Sequence, residues 1–235
     1  TWNFYGFDKA TGFRAIADPA GGAPMDQGTW LAVLSGRVDV FLQQTELKYV
    51  DLLALLSCDF INPQRKIRIV STNANDPATC QLDQLRFDGL EESDLVRLHR
   101  FLRLSRRLQW HFYALDKALK FDNISGVNTD GSAKPPTGYL NADQVRRLSQ
   151  IEQLRRHFDV GLEEILTFWH DIHAERYTDF SAEKPTPIPS LYERLFRNKA
   201  VLNPLNPAFT ADPAALSGNM EAQASAVQAS LEISE

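Results

Sequence analysis

The sequence is poor in cysteine, in positive charge and in long hydrophobic runs. Its two cysteines, Cys58 and Cys80, are too few for the disulfide framework of a small secreted domain, and two buried thiols are expected in preference to a disulfide between them. The formal net charge of -5 provides no overall positive field, so neither nucleic acid nor anionic lipid is an expected partner. No apolar run approaches the roughly 20 residues that cross a bilayer, and the first residues do not follow the basic-then-apolar pattern of a signal peptide.

The chain has the composition of a globular protein, with 43% hydrophobic and 23% charged residues. Its 235 residues can fold without disulfides or metal, either around one core or as two adjacent helical subdomains. Residues 1–27 carry aromatic, glycine and proline residues without a helical period, which predicts an irregular N-terminal segment. We expect an α-helical domain over residues 28–235.

Apolar residues recur at helical spacing along most of the chain, which predicts a mainly α fold built as an irregular bundle of αα-hairpins. Start signals place the helices as follows: from Trp30 with a break near Gly36, after Thr45 as N-cap, after Gly89, around Phe112, at the Asn141 and Gln144 capping box, from Leu162 to Tyr177, at the Ser190 and Glu193 capping box, and near Gly218.

Two of these helices carry specific burial predictions. The helix after Asn141 is expected to bury a face that runs from Val145 through Leu148 to Phe158. The helix from Leu162 is expected to bury Trp169, which continues its apolar spacing.

The hydrophobic period changes to two between residues 65 and 87, which predicts one small β-hairpin there. The polar, glycine- and proline-containing stretch 122–138 predicts a long loop. Pro185, Pro187 and Pro189 predict an extended connector. Thr at position 1 and the terminal Ser234-Glu235, typical of the start of another helix, favour a piece of a longer polypeptide.

The strongest metal-site candidate is a pair of histidines, His170 and His173, with Glu175 and Asp179 nearby. Their spacing lacks the H-E-x-x-H pattern that couples two ligands to a general base, so we expect ordinary histidines and no metal or cofactor. The sequence also has no glycine-rich phosphate loop, nucleophile elbow or Cys-His pairing, and we assign no catalytic residue.

One helix is locally basic and could be interpreted as a phosphate-binding face. Its basic residues are Arg97, Arg100, Arg103, Arg106 and Arg107. Since no aromatic platform alternates with the arginines and the chain is acidic overall, a solvated or salt-bridged face is expected, without nucleic acid.

Several blocks along the chain are similar in order and character to one protein family. They are 36–42 (Gly-Arg-Val-Asp-Val-Phe-Leu), 46–56, 60–63 (Phe-Ile-Asn-Pro), 80–83, 97–104 (Arg-Leu-His-Arg-Phe-Leu-Arg-Leu), 106–110, 191–199 (Leu-Tyr-Glu-Arg-Leu-Phe-Arg-Asn-Lys), 201–204 and 207–209. From about residue 28 onward the chain thereby resembles the A subunit of bacterial Tc toxin complexes, the family that includes virulence-plasmid A proteins. Ser105 departs from the pattern, in which a tryptophan precedes the basic pair.

The resemblance implies a fragment of the α-helical shell of a very large, secreted or cell-surface bacterial toxin, as in insecticidal toxin complexes. That subunit forms a homopentamer around a channel that translocates a toxic enzyme into a host cell. The shell is not catalytic, so no functional residue is carried over, and its partners are other domains of the same chain.

Two other functions remain open from the sequence. One is a binding module for a host receptor or glycan, in which the loop 122–138 and the aromatic N-terminal segment make the contacts, because binding residues favour loops on rigid scaffolds. The other is a metal-dependent hydrolase centred on His170 and His173.

Overall fold

The computed structural model describes residues 2–7, 16–23, 29–123, 140–169, 171–182, 184–200, 202–209 and 221–231, and these contain nine α-helices and four short β-strands. The helices are α1 (Trp30–Gly36), α2 (Val38–Thr45), α3 (Tyr49–Ser57), α4 (Glu92–Leu108), α5 (Phe112–Asn123), α6 (Ala142–Phe158), α7 (Leu162–Leu166), α8 (Leu191–Phe196) and α9 (Ala224–Ser230). The strands are β1 (Arg68–Ser71), β2 (Leu85–Asp88), β3 (Tyr177–Asp179) and β4 (Thr186–Ile188).

The chain divides into two compact units, unit 1 (Thr1–Arg147) and unit 2 (Leu148–Glu235). The boundary lies inside α6. The predicted division at residues 27 and 28 stays a prediction, because residues 8–15 and 24–28 are outside the described part of the chain. The predicted loop 122–138 also lies outside it beyond Asn123, the last residue of α5.

The mainly α prediction is confirmed, and so is the hairpin near residues 65–87. Strands β1 and β2 pair antiparallel, with Ile69 opposite Phe87. Gly89 follows β2 at a φ of +76°, and a Cβ there would lie 2.4 Å from the carbonyl oxygen of Lys66. Glycine is therefore the residue that lets the hairpin pass directly into α4.

The core of unit 1 is aromatic and aliphatic, and α4 contributes a buried stripe to it. Leu95, Leu98, Phe101 and Leu102 form its buried stripe, as the apolar spacing predicts. Tyr5 is fully buried against this helix and its hydroxyl donates to the carbonyl of Leu95 at 2.6 Å. Burial raises the pKa of the Tyr5 phenol well above its usual value, so it remains a hydrogen-bond donor.

Two buried polar residues join loops to helices in unit 1. Asp116 on α5 accepts the backbone N–H groups of Asp59 at 3.2 Å and of Phe60 at 2.7 Å. Ser105, at the position where the resembled pattern has tryptophan, is buried and donates to the carbonyl of Trp110 at 2.8 Å. The turn after α4 is thus fixed by a hydroxyl group.

Unit 2 has its own hydrophobic cluster. Its buried members are Tyr192 and Phe196 from α8, together with Leu202 and Phe209. The rings of Phe196 and Phe209 lie 4.8 Å apart between centroids. Ile172, Leu195 and Leu205 pack against this cluster, as do Ala226 and Val227 of α9.

Most predicted helix starts agree with the structure, including those at Trp30, Phe112 and Leu162. Gly36 ends α1 and Arg37, in an extended conformation, separates it from α2. The capping box before α6 is present: Gln144 N–H donates to Asn141 Oδ1 at 2.8 Å, and Asn141 N–H donates to Gln144 Oε1 at 3.0 Å. Ser190 and Glu193 cap α8 in the same reciprocal way. The predicted start near Gly218 lies outside the described residues, and α9 begins at Ala224.

Thr45 is not the N-cap of α3, which corrects the prediction. It ends α2, where its buried hydroxyl donates back to the carbonyl of Phe41 at 2.7 Å. Glu46 then adopts a left-handed conformation with a φ of 57°. The extended Lys48 precedes α3, and its N–H donates to Asp51 at 3.1 Å.

The predicted helix from Leu162 to Tyr177 is also wrong. α7 ends at Leu166, and the chain turns through Thr167, whose hydroxyl donates to the carbonyl of Glu164 at 2.7 Å. Residues 171–176 have no regular structure, and a second hairpin follows, with Tyr177 of β3 opposite Ile188 of β4. Aromatic and β-branched residues after α7 favour helix only weakly, so strand pairing prevails.

Several burial predictions need correction. Val145 and Phe158 on α6 are 46% and 52% exposed, although Leu148 between them is buried. Trp169 is 57% exposed rather than buried, because α7 stops before reaching it. Cys58 is buried and free as expected, but Cys80 is free and exposed.

Candidate functional site

Two surfaces of unit 2 have the properties of binding sites, and neither was predicted as such from the sequence. The first, the aromatic cluster, consists of Phe158, Phe168 and Trp169. These side chains are 52%, 63% and 57% exposed. The Phe168 ring lies 6.1 Å from the Phe158 ring and 6.1 Å from the Trp169 ring, between centroids.

The ends of two helices bring the aromatic cluster together. Phe158 is the last residue of α6, and Phe168 and Trp169 lie in the turn that follows α7. The turn is fixed by its backbone, because Phe168 N–H donates to the carbonyl of Ile165 and Trp169 N–H to that of Leu166, both at 3.2 Å. Large rings that remain in mutual contact while exposed are typical of an interaction surface.

The second surface, the basic cleft, has a volume of about 570 Å³. Four cationic side chains line it, together with one carboxylate, an amide and three apolar residues. They are Arg176, Arg194, Arg197, Lys199, Glu193, Asn198, Pro187, Pro189 and Leu205. The cleft is larger than a single anionic group requires and lies within the size range of ligand pockets.

Glu193 is the anchor of the cleft. Its carboxylate accepts from the backbone N–H of Ser190 at 3.2 Å and from Arg176 Nε at 2.7 and 2.9 Å. The hydrogen bond from Arg176 is the main reason that the pKa of Glu193 is lowered. Arg176 directly precedes β3, so this ion pair connects the second hairpin to α8.

The other cations of the cleft differ in how they are held. Arg194 pairs with Glu163 on α7 at 2.5 Å, and Arg197 Nη1 donates to the carbonyl of Phe209 at 2.9 Å. Lys199 is exposed, and no ion pair or hydrogen bond to its ammonium group is seen among the described residues. Lys199 is therefore the cation most available to a ligand.

Of the residues that the sequence singled out as metal candidates, the structure places His173 next to Glu175. His173 Nδ1 accepts the backbone N–H of Glu175 at 3.1 Å, and its Nε2 lies 3.8 Å from Glu175 Oε2. His170 lies outside the described residues. Within the part of the chain that the structure describes, no three His, Cys, Asp or Glu side chains are grouped to hold a metal ion.

The arginines of α4 are partly engaged in structure. Arg97 Nη1 donates to the carbonyl of Ile61 at 3.0 Å, and the Arg106 guanidinium lies 5.9 Å from the Phe4 ring centroid. Arg103 and Arg107 are exposed. A salt-bridged or solvated face agrees with these contacts, and the absence of nucleic-acid binding stays a prediction.

Sequence reasoning missed the basic cleft because Arg176 is distant in sequence from the other three cations. Arg194, Arg197 and Lys199 lie within one short block, which was a usable signal. Arg176 joins them only through the pairing of β3 with β4 and its ion pair with Glu193.

A scan against protein-family models gives no match for this chain, and searches of curated proteins and of solved structures return no significant match. Among the described residues, no helix is both long enough and apolar enough to cross a membrane.

Proposed function

We propose that this chain is a non-catalytic structural segment of the α-helical shell of a Tc toxin A subunit. In this proposal its helices pack as an irregular bundle of αα-hairpins within a secreted, pentameric bacterial toxin. The sequence blocks of the resemblance suggest the family. The aromatic cluster is the structural observation that carries the proposal, because it is a surface suited to being covered by neighbouring parts of a larger assembly.

The energetics of the aromatic cluster support this role. Covering a Phe side chain contributes about 1.5–3 kcal/mol relative to leaving it in water, and a tryptophan buries at least as much surface. Phe168 and Trp169 are more than half exposed, so most of that free energy is still available to a neighbour. A shell segment would recover it on assembly.

The use of buried charge in unit 1 also supports a structural role. The Asp94 carboxylate is fully buried and lies 3.1 Å from Lys66 Nζ and 3.5 Å from Arg97 Nη1. It also accepts the backbone N–H of Glu91 at 3.0 Å, which caps α4. Asp94 and Asp116 are thus both buried carboxylates that accept backbone N–H groups. Such hydrogen bonds hold loops against helices, as expected of a rigid scaffold.

A double substitution of Phe168→Ser and Trp169→Ser tests the proposal. In the isolated chain we expect the melting temperature to change little, because both side chains are exposed. In the full-length parent protein we expect fewer assembled oligomers or a lower assembly melting temperature. Thr178→Ala, a change at a half-buried position of β3, is the matched control. Full assembly and stability of the double variant would contradict a covered surface.

A binding module for a host receptor or glycan is the second candidate function. The position of Phe168 and Trp169 in a turn held by α7 favours it, because binding residues concentrate on loops carried by rigid elements. Direct, saturable binding of the isolated chain to host cells, abolished by the same double substitution, would favour this function over the structural one.

A further inference from the structure

We infer that the basic cleft of unit 2 binds an acidic peptide segment that carries an aliphatic side chain. This inference is independent of the proposed shell function. It rests on the charge of the cleft, on its apolar lining and on the different degrees to which its cations are already engaged.

The charge of the cleft opposes that of the whole chain. Four cationic side chains and one carboxylate line it, whereas the chain as a whole has a formal net charge of -5. The one carboxylate, Glu193, is already bound by Arg176 and by the N–H of Ser190. Arg176 and Glu193 therefore compensate each other, and Arg194 is paired with Glu163. A bound anion would meet the positive charge of Arg197 and Lys199.

The donors that remain available to a ligand lie just after the C-terminal end of α8. Arg197 uses Nη1 to hold the carbonyl of Phe209, which fixes the guanidinium group in place. Lys199 follows two residues later and is exposed. A fixed guanidinium group beside an available ammonium group suits carboxylates, which accept charge-assisted hydrogen bonds from both.

The apolar lining argues for a peptide rather than a bare anion. Leu205 packs against the hydrophobic cluster of unit 2 and also lines the cleft, so an aliphatic side chain held by the core is part of the lining. Pro187 and Pro189 line it as well. A ligand that uses the whole volume of about 570 Å³ needs both carboxylates and an aliphatic group, which an acidic segment with a leucine provides.

The test uses the 235-residue chain and fluorescence anisotropy of a labelled peptide, acetyl-Glu-Glu-Leu-Glu-Glu-amide. We expect saturable binding that weakens as sodium chloride rises from about 50 to about 500 mM, because exposed charges are screened. A peptide in which glutamine replaces all the glutamates should bind at least about tenfold more weakly, which is roughly the effect of losing one good charge pair. Replacing its leucine by serine should also weaken binding, by about threefold or more.

Charge reversal at Lys199 is the decisive variant. Lys199→Glu should weaken peptide binding about tenfold or more, whereas Lys199→Arg should retain it within about twofold. Lys184→Glu is the matched control, because Lys184 is an exposed lysine of the same unit that does not line the cleft. Circular dichroism of each variant verifies that it is folded.

Four results with the peptides and the variants would overturn the inference. They are the absence of saturable binding, equal affinity for the glutamine peptide, an unchanged affinity in Lys199→Glu, and an equal loss in Lys184→Glu. Inorganic phosphate or a short oligothymidylate that displaces the peptide at concentrations below those of unlabelled peptide would likewise overturn it. In that event the cleft would be a site for phosphate groups.

Discussion

Removing the Asp116 carboxylate should strongly lower the free energy of unfolding of unit 1. The carboxylate is fully buried and accepts two backbone N–H groups, from Asp59 at 3.2 Å and from Phe60 at 2.7 Å. In Asp116→Ala both N–H groups lose this acceptor. A buried donor without a partner costs about 1–3 kcal/mol, so we expect a loss of about 2–5 kcal/mol in the free energy of unfolding.

Asp116→Asn refines the expectation. Its amide oxygen can replace one acceptor, but its NH₂ group faces the second N–H, so the loss should be smaller than that of the alanine variant and still above about 1 kcal/mol. The contact of Asp116 with Lys120, at 3.8 Å, would weaken as well. Asp83→Asn is the control: Asp83 is an exposed aspartate of unit 1, and we expect a change within about 0.5 kcal/mol.

Urea unfolding followed by tryptophan fluorescence measures these losses. The chain forms two compact units, which can unfold in separate steps, and the transition of unit 1 is the one that should move. Trp30 and Trp110 are buried in unit 1 and report on it. If both Asp116 variants lose less than about 1 kcal/mol, these hydrogen bonds do not hold the loop after α3, and the scaffold argument is refuted.

Three further predictions concern single residues. Burial lowers the pKa of His99 from the ordinary value of 6.5 to about 4. Between these two values the unfolded chain binds more protons than the folded chain, so stability decreases as the pH is lowered. In His99→Gln the urea midpoint should therefore change less between about pH 7 and pH 4.5. Gly89→Ala should lower the free energy of unfolding by about 1–3 kcal/mol, measured by heat or urea, because alanine disfavours the positive φ and its Cβ would clash with the Lys66 carbonyl. Gly36→Ala, where a Cβ has room, should not be destabilising. Ser190→Ala removes the N-cap of α8 and should cost about 1 kcal/mol, and a variant as stable as the parent would contradict that role.

The parts of the fold that were predictable from sequence are those fixed by local chemistry. The apolar stripe of α4 and the reciprocal caps at Asn141 and Ser190 are written in residues a few positions apart. The change of hydrophobic period found the first hairpin. These signals need no knowledge of tertiary contacts.

The errors arise where distant residues decide the outcome or where one residue type serves two local roles. The apolar spacing through Trp169 suits a helix, but α7 ends at Leu166, and Tyr177 at the end of the predicted helix pairs instead with Ile188 of β4. Thr45 has the chemistry of an N-cap and serves as the end of the preceding helix. The strand pairing of Tyr177 is not visible at the scale of one helical turn, whereas the Thr45 error is local, because the same hydroxyl chemistry serves either end of a helix.

The candidate site was harder to predict than the fold. The aromatic cluster exists because α7 ends early, and that ending was missed. The basic cleft requires Arg176 and Arg194 to line one surface across 17 residues of intervening chain and a hairpin. Charge and aromatic content are visible in the sequence, whereas their convergence on one surface depends on tertiary structure.

Single-particle electron microscopy of the purified full-length parent protein tests the central proposal most directly. The proposal predicts fivefold-symmetric particles with a central channel, in which this segment lies in the helical shell and the rings of Phe168 and Trp169 are covered by a neighbouring part of the assembly. Particles without fivefold symmetry, or a shell position in which both rings remain exposed to solvent, would contradict it.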